Sequence, residues 1–175
     1  MRFKSSVNFI VWAIGRSLSE LDEGGIERSI LKAERVMIYG VGRSGLVARS
    51  FATRLMHLGI ETYMMGETIS PPIGEKDVVI LISGSGRTDS VLRVGELAKE
   101  IGASVVAITS KEDSPLHRMA DLGLVLRTDI DRTLAPLGTI FEDSAQIFLD
   151  GLVAELMEDL GESERSMSAR HATLE

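Results

Sequence analysis

The sequence predicts an α/β fold, a three-layer αβα sandwich built on about five parallel strands. Two observations predict it. Between residues 36 and 160, short apolar runs alternate with longer segments of helical periodicity. That is the pattern of βαβ units, and hence of a parallel sheet. One of the runs, Val78–Ile82, is apolar at every position, as expected of a strand covered on both faces.

The elements follow in order. Val7, Ile10, Val11, Ile14, Leu18 and Leu21 recur at helical spacing, which predicts a helix over residues 5–21 with one apolar face. The Ser5-Ser6 pair would supply its N-cap. A basic start and an apolar run over residues 7–14 also fit a short signal peptide. That run is too short to span a bilayer, and the periodicity continues past it, so a packed helix is the expectation. Asp22-Glu23-Gly24-Gly25 predicts a turn, and residues 26–34 a second helix. A strand over 36–39 ends at Gly40, and a helix over 44–58 is closed by Gly59. Strands follow at 61–65, 78–82, 104–108 and 122–126. Asp89–Ile101 is a helix closed by Gly102, and Ser114-Pro115 opens a short helix through Ala120. Residues 127–138 read as a loop and 139–160 as a long helix. The last fifteen residues are polar, a short helix or an extended arm.

The chain has 175 residues and a net charge of −7. That length fits one domain over 1–175, with the helices of residues 5–34 and the tail 161–175 as additions to the core. The acidic balance argues against a nucleic-acid or anionic-membrane partner. It leaves room for a phosphorylated small molecule, which senses a local site. There is no cysteine, which rules out disulfides, thiolate metal sites and a cysteine nucleophile and fits a cytoplasmic location. No two histidines stand at H-x-x-x-H spacing, so no metal site is indicated.

In an open parallel sheet, ligands bind beyond the carboxyl ends of the strands. Attention therefore falls on the loops after the first, third and fifth strands. Gly40-Val41-Gly42-Arg43-Ser44-Gly45 matches G-x-G-x-x-G between a strand and a helix, with Glu61 about 20 residues on where a ribose-binding acid belongs. The alternative is a tight glycine turn that lets helix and sheet pack closely. Ser44 either caps the helix or bonds a ligand, and Arg43 is either solvated or contacts an anion. Ser83-Gly84-Ser85-Gly86-Arg87-Thr88 is more informative. Its glycines let the backbone approach a ligand, three hydroxyls supply donors, and the next helix offers unpaired N–H groups and a positive partial charge. Together they suit a terminal phosphate. No Gly-Lys-Ser/Thr follows, so it is not a Walker loop. The alternative is a Ser/Gly turn with Thr88 as an N-cap. Glu142, near the start of the last long helix, either complements the helix dipole or acts as a base beside the buried face of Phe141, Ala145, Phe148, Leu149, Leu152 and Leu156.

Taken together, these segments resemble a known family. The serine-glycine loop after a strand, downstream of the first glycine loop, looks like the sugar isomerase (SIS) domain. Tyr39-Gly-Val-Gly-Arg-Ser-Gly45, Arg54-Leu-Met-His-Leu-Gly59, Gly66-Glu-Thr68, Ile82-Ser-Gly-Ser-Gly-Arg-Thr88, Gly138-Thr-Ile-Phe-Glu142 and the ending Arg170-His171-Ala172-Thr173-Leu174-Glu175 are similar to the 6-phospho-3-hexuloisomerase group. The resemblance covers essentially the whole chain. It implies a flavodoxin-like fold and a reaction interconverting 3-hexulose 6-phosphate and fructose 6-phosphate. The setting would be formaldehyde fixation by the ribulose monophosphate route, or pentose synthesis, paired with 3-hexulose-6-phosphate synthase.

The resemblance implies roles residue by residue. Ser44 matches a substrate contact. Ser83, Ser85 and Thr88 match a phosphate cradle shaped by Gly84, Gly86 and Arg87. Glu142 matches the proton acceptor, and His171 a histidine that reaches a neighbouring subunit's site. Arg43, Glu67, His57 and Gly138 are further candidates. His57 sits among Leu55, Met56 and Leu58, where packing is the simpler role, and His117 reads as a surface residue. One departure is Ala135-Pro136-Leu137 before Gly138, where Pro-Met-Gly is more usual. Proton transfer between adjacent carbons needs no cofactor. Surplus apolar helix surface, Trp12 included, implies a homodimer or homotetramer with tails crossing between subunits. The alternatives are a non-catalytic sugar-phosphate module of the kind found in transcriptional regulators, and an isomerase of another sugar such as arabinose 5-phosphate or sedoheptulose 7-phosphate.

Overall fold

A computed structural model describes residues 2–19, 21, 24–128 and 133–172. Asp22 and Glu23 of the predicted turn, residues 129–132 of the predicted loop and Thr173, Leu174 and Glu175 of the ending lie outside them. The elements run α1 (Arg2–Leu18), α2 (Ile26–Lys32), β1 (Val36–Gly40), α3 (Gly42–His57), β2 (Thr62–Met64), β3 (Val78–Ile82), α4 (Asp89–Ile101), β4 (Ser104–Thr109), α5 (Pro115–Met119), β5 (Leu122–Val125), α6 (Thr139–Asp159) and α7 (Glu164–Ser168). Among the described residues, no helix is long and apolar enough to cross a membrane.

The five strands form one parallel sheet in the order β2-β1-β3-β4-β5. Side chains alternate across it. Val36, Ile38, Ile80, Ile82, Val106 and Ile108 face a core closed by α2, α3 and α6. Met37, Val79, Leu81, Val105 and Ala107 face a second core closed by α4 and α5. These are the three layers that the sequence predicts. β1 and β3 are neighbours, with Val36 opposite Val78 and Gly40 opposite Ile82. Their chains leave for opposite faces, α3 on one side and α4 on the other. A sheet of this order has its switch point there, and a crevice opens beyond the strand ends.

Three sequence expectations are corrected by packing. The first helix begins at Arg2, so Ser5 and Ser6 lie inside it and do not cap it. Its buried side is Ala13, Ile14 and Ser17, with Phe9, Ile10 and Leu18 packed alongside, while Val7 and Val11 are exposed. Small Ala13 lets α1 approach Ala135 and Ile140, and close approach decides which of two adjacent faces turns inward. Second, α3 starts two residues earlier than predicted, at Gly42, so Ser44 is not its cap. Third, Glu61 precedes β2, at the opposite edge of the sheet from the crevice. Tyr63 donates its hydroxyl to Glu61 there at 3.1 Å. Glu61 cannot serve a ligand beyond the carboxyl ends.

The tail is a short helix docked on its own chain. Arg170 donates two parallel hydrogen bonds to the Glu162 carboxylate, at 2.9 and 2.8 Å, and a third to the His57 carbonyl at 2.8 Å. The guanidinium also packs against Gly59. Hydrogen bonds from Arg170 and Ser166, with the charge of Arg170, bring the Glu162 carboxyl down to about 2. A carboxyl depressed by folding stabilises the folded form above its unfolded value of 4.5, and this contribution disappears as pH falls through the folded value. The attachment of α7 therefore loosens between about pH 4.5 and 2. Hydrogen exchange of residues 163–172 should accelerate over that interval. In Arg170→Ala the same acceleration should be present already at neutral pH.

Candidate active site

A cavity of about 670 Å³ occupies the crevice at the switch point. Val41 and Ser44 bring the β1–α3 junction to it, residues 82–85 with Arg87 and Thr88 bring the β3–α4 junction, and Gly138, Phe141 and Glu142 bring the start of α6. The glycine turn after β1 works by close approach. A Cβ on Gly45 would stand 2.7 Å from the Gly40 carbonyl oxygen, so glycine lets α3 lie tight on the strand. This is the packing role that the sequence offered as the alternative to a dinucleotide site.

The loop over 83–88 is braced from within. Ser83 and Thr88 share a hydroxyl–hydroxyl bond of 3.0 Å, and the Gly86 N–H donates to Ser83 Oγ at 3.2 Å. Ser110 donates its hydroxyl to the Gly84 carbonyl at 2.7 Å from the neighbouring β4–α5 loop. Gly86 has φ +60°, and a Cβ there would lie 2.2 Å from Ser114 Oγ, so no other residue fits without moving α5. The Arg87 N–H donates to Ser85 Oγ. Among the described residues, the N–H groups of Ser85 and Thr88 meet no protein acceptor. Thr88 holds the N-cap position of α4, yet its hydroxyl makes no capping bond. The loop thus presents unpaired donors at a helix N-terminus, the local chemistry that attracts an anion.

Glu142 stands across the cavity. It lies in the first turn of α6 with its side chain 13 % exposed. Arg43 Nε donates to Oε2 at 3.2 Å, and Ser44 Oγ lies 3.5 Å from Oε1. A Cβ on Gly138 would be 2.8 Å from Oε2, so the absence of a side chain there makes room for the carboxylate. Burial raises the Glu142 carboxyl above its usual range, the hydrogen bond and charge of Arg43 pull it down, the charge of Asp143 raises it, and Ser44 lowers it. Burial prevails. A carboxyl held this way suits alternate acceptance and release of a proton.

The structure brings together Ser44, Ser83, Gly84, Ser85, Arg87, Thr88, Gly138 and Glu142 around one cavity, with Gly86 inside its loop and Arg43 on its rim. It leaves others out. Glu67 pairs with Arg49 outside the lining. His57 is 3 % exposed at the far end of α3, about 20 Å from Ser44 by helix rise. His171 stacks on it, ring centroids 4.1 Å apart. Neither histidine reaches this chain's cavity. His117 is half-buried rather than at the surface. Sequence reasoning missed Ser110, Lys111, Asp113 and Thr128, which also line the cavity. The loop after β4 carries no motif, and the signal for it was its place beside β3.

Carbon-13 NMR titration of Glu142 tests the balance of forces. The wild-type carboxyl should titrate above an ordinary glutamate, and Arg43→Ala should move it higher still. An unchanged value in the variant would contradict the role given to Arg43.

The SIS domain family model matches residues 29–145. The 3-hexulose-6-phosphate isomerase of Methanocaldococcus jannaschii is 46 % identical over 145 residues, covering 83 % of this chain and 79 % of that protein. The 3-hexulose-6-phosphate isomerase of Bacillus subtilis is 37 % identical over 153 residues, covering 83 % of each. A crystal structure of a Methanococcus jannaschii protein, described as inferring a molecular function of 3-hexulose-6-phosphate isomerase, superposes with a TM-score of 0.87 at 38 % identity over the whole of both chains. With the family model matching more than half its length and a 46 % identical relative covering 83 % of it, this chain belongs to the SIS domain family.

Proposed function

We propose that this chain is a sugar-phosphate isomerase that interconverts 3-hexulose 6-phosphate and fructose 6-phosphate. The observation that carries the reading is the placement of the Glu142 carboxylate in one cavity with the donor-rich loop 83–88. Relatives named for that reaction support the choice of sugar. In the proposed mechanism the loop amides and the Ser85 and Thr88 hydroxyls hold the phosphate, with Arg87 at the rim. Ser83 chiefly braces the loop. The carbonyl of the bound 3-hexulose acidifies C2. Glu142 takes the C2 proton, giving an enediolate, and returns a proton to C3 while the O2 proton moves to O3. One carboxyl serves both steps because it is a base in the first and an acid in the second. Ser44 and Arg43 orient it. Proton transfer of this kind calls for no redox cofactor and no metal.

The wider reading is of one SIS unit over the chain, with α1, α2 and α7 as additions. Cytoplasmic location follows from a charged substrate that cells retain. The enzyme that forms the 3-hexulose 6-phosphate, 3-hexulose-6-phosphate synthase, is the expected functional partner, in formaldehyde fixation or pentose synthesis. The solvent face of α1 carries Phe3, Val7, Val11 and Trp12 exposed, which supports a homodimer or homotetramer. Any part for His171 in the chemistry lies in the cavity of a neighbouring subunit, since within its own chain it packs on His57.

Three measurements test the reading. A coupled assay supplied with 3-hexulose 6-phosphate should form fructose 6-phosphate. Glu142→Gln should lower kcat at least about a hundredfold, the scale of a lost general base, while the substrate still binds. An undiminished rate removes Glu142 from the mechanism, and faster turnover of arabinose 5-phosphate reassigns the substrate. Light scattering at micromolar concentration should give a dimer or tetramer, and a species of 19.0 kDa would count against the assembly.

A further inference from the structure

The cavity at the switch point has two unlike sides. Sheet order places the end of β1 on one side of β3 and the ends of β4 and β5 on the other. Toward β1 the lining is Val41, Ser44, Phe141 and Glu142, with Glu142 held there by Arg43 and Ser44. Toward β4 and β5 it is Ser110, Lys111, Asp113 and Thr128, all polar among the described residues. We propose that Asp113 and Thr128 bind hydroxyl groups of the sugar chain, so that this wall distinguishes a polyol phosphate from a bare phosphate. The proposal rests on the reading of the cavity as a sugar-phosphate site.

The β4–α5 loop that carries Asp113 is tied to the 83–88 loop on both sides. The Ser110 N–H and hydroxyl donate to the Gly84 carbonyl at 3.0 and 2.7 Å, and the Leu116 N–H donates to the Gly86 carbonyl at 3.1 Å. Asp113 lies between these ties, so its backbone is fixed relative to the donor-rich loop. Among the described residues, neither the Asp113 carboxylate nor the Thr128 hydroxyl has a hydrogen-bond or ion-pair partner. A carboxylate near a bound phosphate opposes it through charge, so a donor on the ligand is what makes this position favourable. An ionised carboxylate only accepts hydrogen bonds, and a sugar hydroxyl is such a donor. With the phosphate at the loop and C2 and C3 at Glu142, the hydroxyls of C4 and C5 lie between them. Left without partners they would weaken binding, and Val41 and Phe141 offer none. Asp113 accepts from one of them, and the Thr128 hydroxyl supplies a second contact.

Calorimetric titration of the full chain tests this apart from turnover. Asp113→Ala should bind fructose 6-phosphate at least about tenfold more weakly than the wild type, the scale of a lost hydrogen bond to a charged group. Asp113→Asn keeps an acceptor oxygen and should recover part of the loss, and Thr128→Val should weaken binding severalfold. Inorganic phosphate should bind Asp113→Ala as tightly as the wild type or more tightly, because a negative charge has gone, whereas a damaged fold would weaken both ligands. With 4-deoxy- and 5-deoxyfructose 6-phosphate, the penalty of Asp113→Ala should vanish for the analogue that lacks the recognised hydroxyl. In the coupled assay Asp113→Ala should raise KM and leave kcat within about twofold, as loss of uniform binding does. Unchanged affinity for fructose 6-phosphate in Asp113→Ala or Thr128→Val, an equal loss of inorganic phosphate binding, or a penalty that persists with both analogues would overturn the proposal. A wild type that binds fructose 6-phosphate in this way without isomerising it would overturn the proposed reaction and leave the role of this wall standing.

Discussion

Strands β1 and β3 lie side by side yet send their chains to opposite faces of the sheet, and the site exists because of that divergence. The split leaves a crevice floored by strand ends, with a helix start on each bank. Nothing else in the fold would bring Ser44 and the 83–88 loop to one space. The remaining parts serve that arrangement. The continuous apolar strand Val78–Ile82, buried throughout, fixes the loop that follows it. Ser110 and Ser114 brace the loop from the next connection. Phe141 packs its ring against Gly84, so the helix that bears Glu142 rests on the 83–88 loop itself.

That contact joins two opposed electrostatic demands. In the proposed mechanism the loop attracts negative charge, while Glu142, a short way off, holds and releases a proton. Burial favours the protonated carboxyl, and Arg43 favours the ionised one. With both acting, the group stays titratable rather than locked in one state. A phosphate arriving at the loop adds negative charge to the cavity, and the rim cations Arg43, Arg87 and Lys111 moderate its effect on Glu142.

The layers, the strands and the donor-rich turn at 83–88 were legible in the sequence because each carries its own local mark. Apolar runs mark the buried strands, Gly102 closes α4, and Ser114 with Pro115 opens α5, where Ser114 Oγ accepts from the His117 N–H as a cap should. The buried side of α1 was not legible. Large apolar residues lie on two adjacent faces, and small Ala13 decides between them through its contact with Ala135 and Ile140, in α6 and its approach. The tail was not legible either, because Arg170 finds Glu162 and the His57 carbonyl only after α3 and α6 have packed. The same event carries His171 away from the cavity of its own chain. Glu142 was visible as an acid at a helix start, but its partnership with Arg43, 99 residues earlier in the chain, belongs to the packed structure.

The account stands on an anion held by the loop at the switch point with a carboxylate facing its carbon chain. A crystal structure with fructose 6-phosphate tests this most directly. The phosphate should lie within hydrogen-bond distance of the Ser85 and Thr88 amides, with C2 and C3 about 3–3.5 Å from a Glu142 carboxylate oxygen. A phosphate bound elsewhere, or reacting carbons out of reach of Glu142, would contradict it.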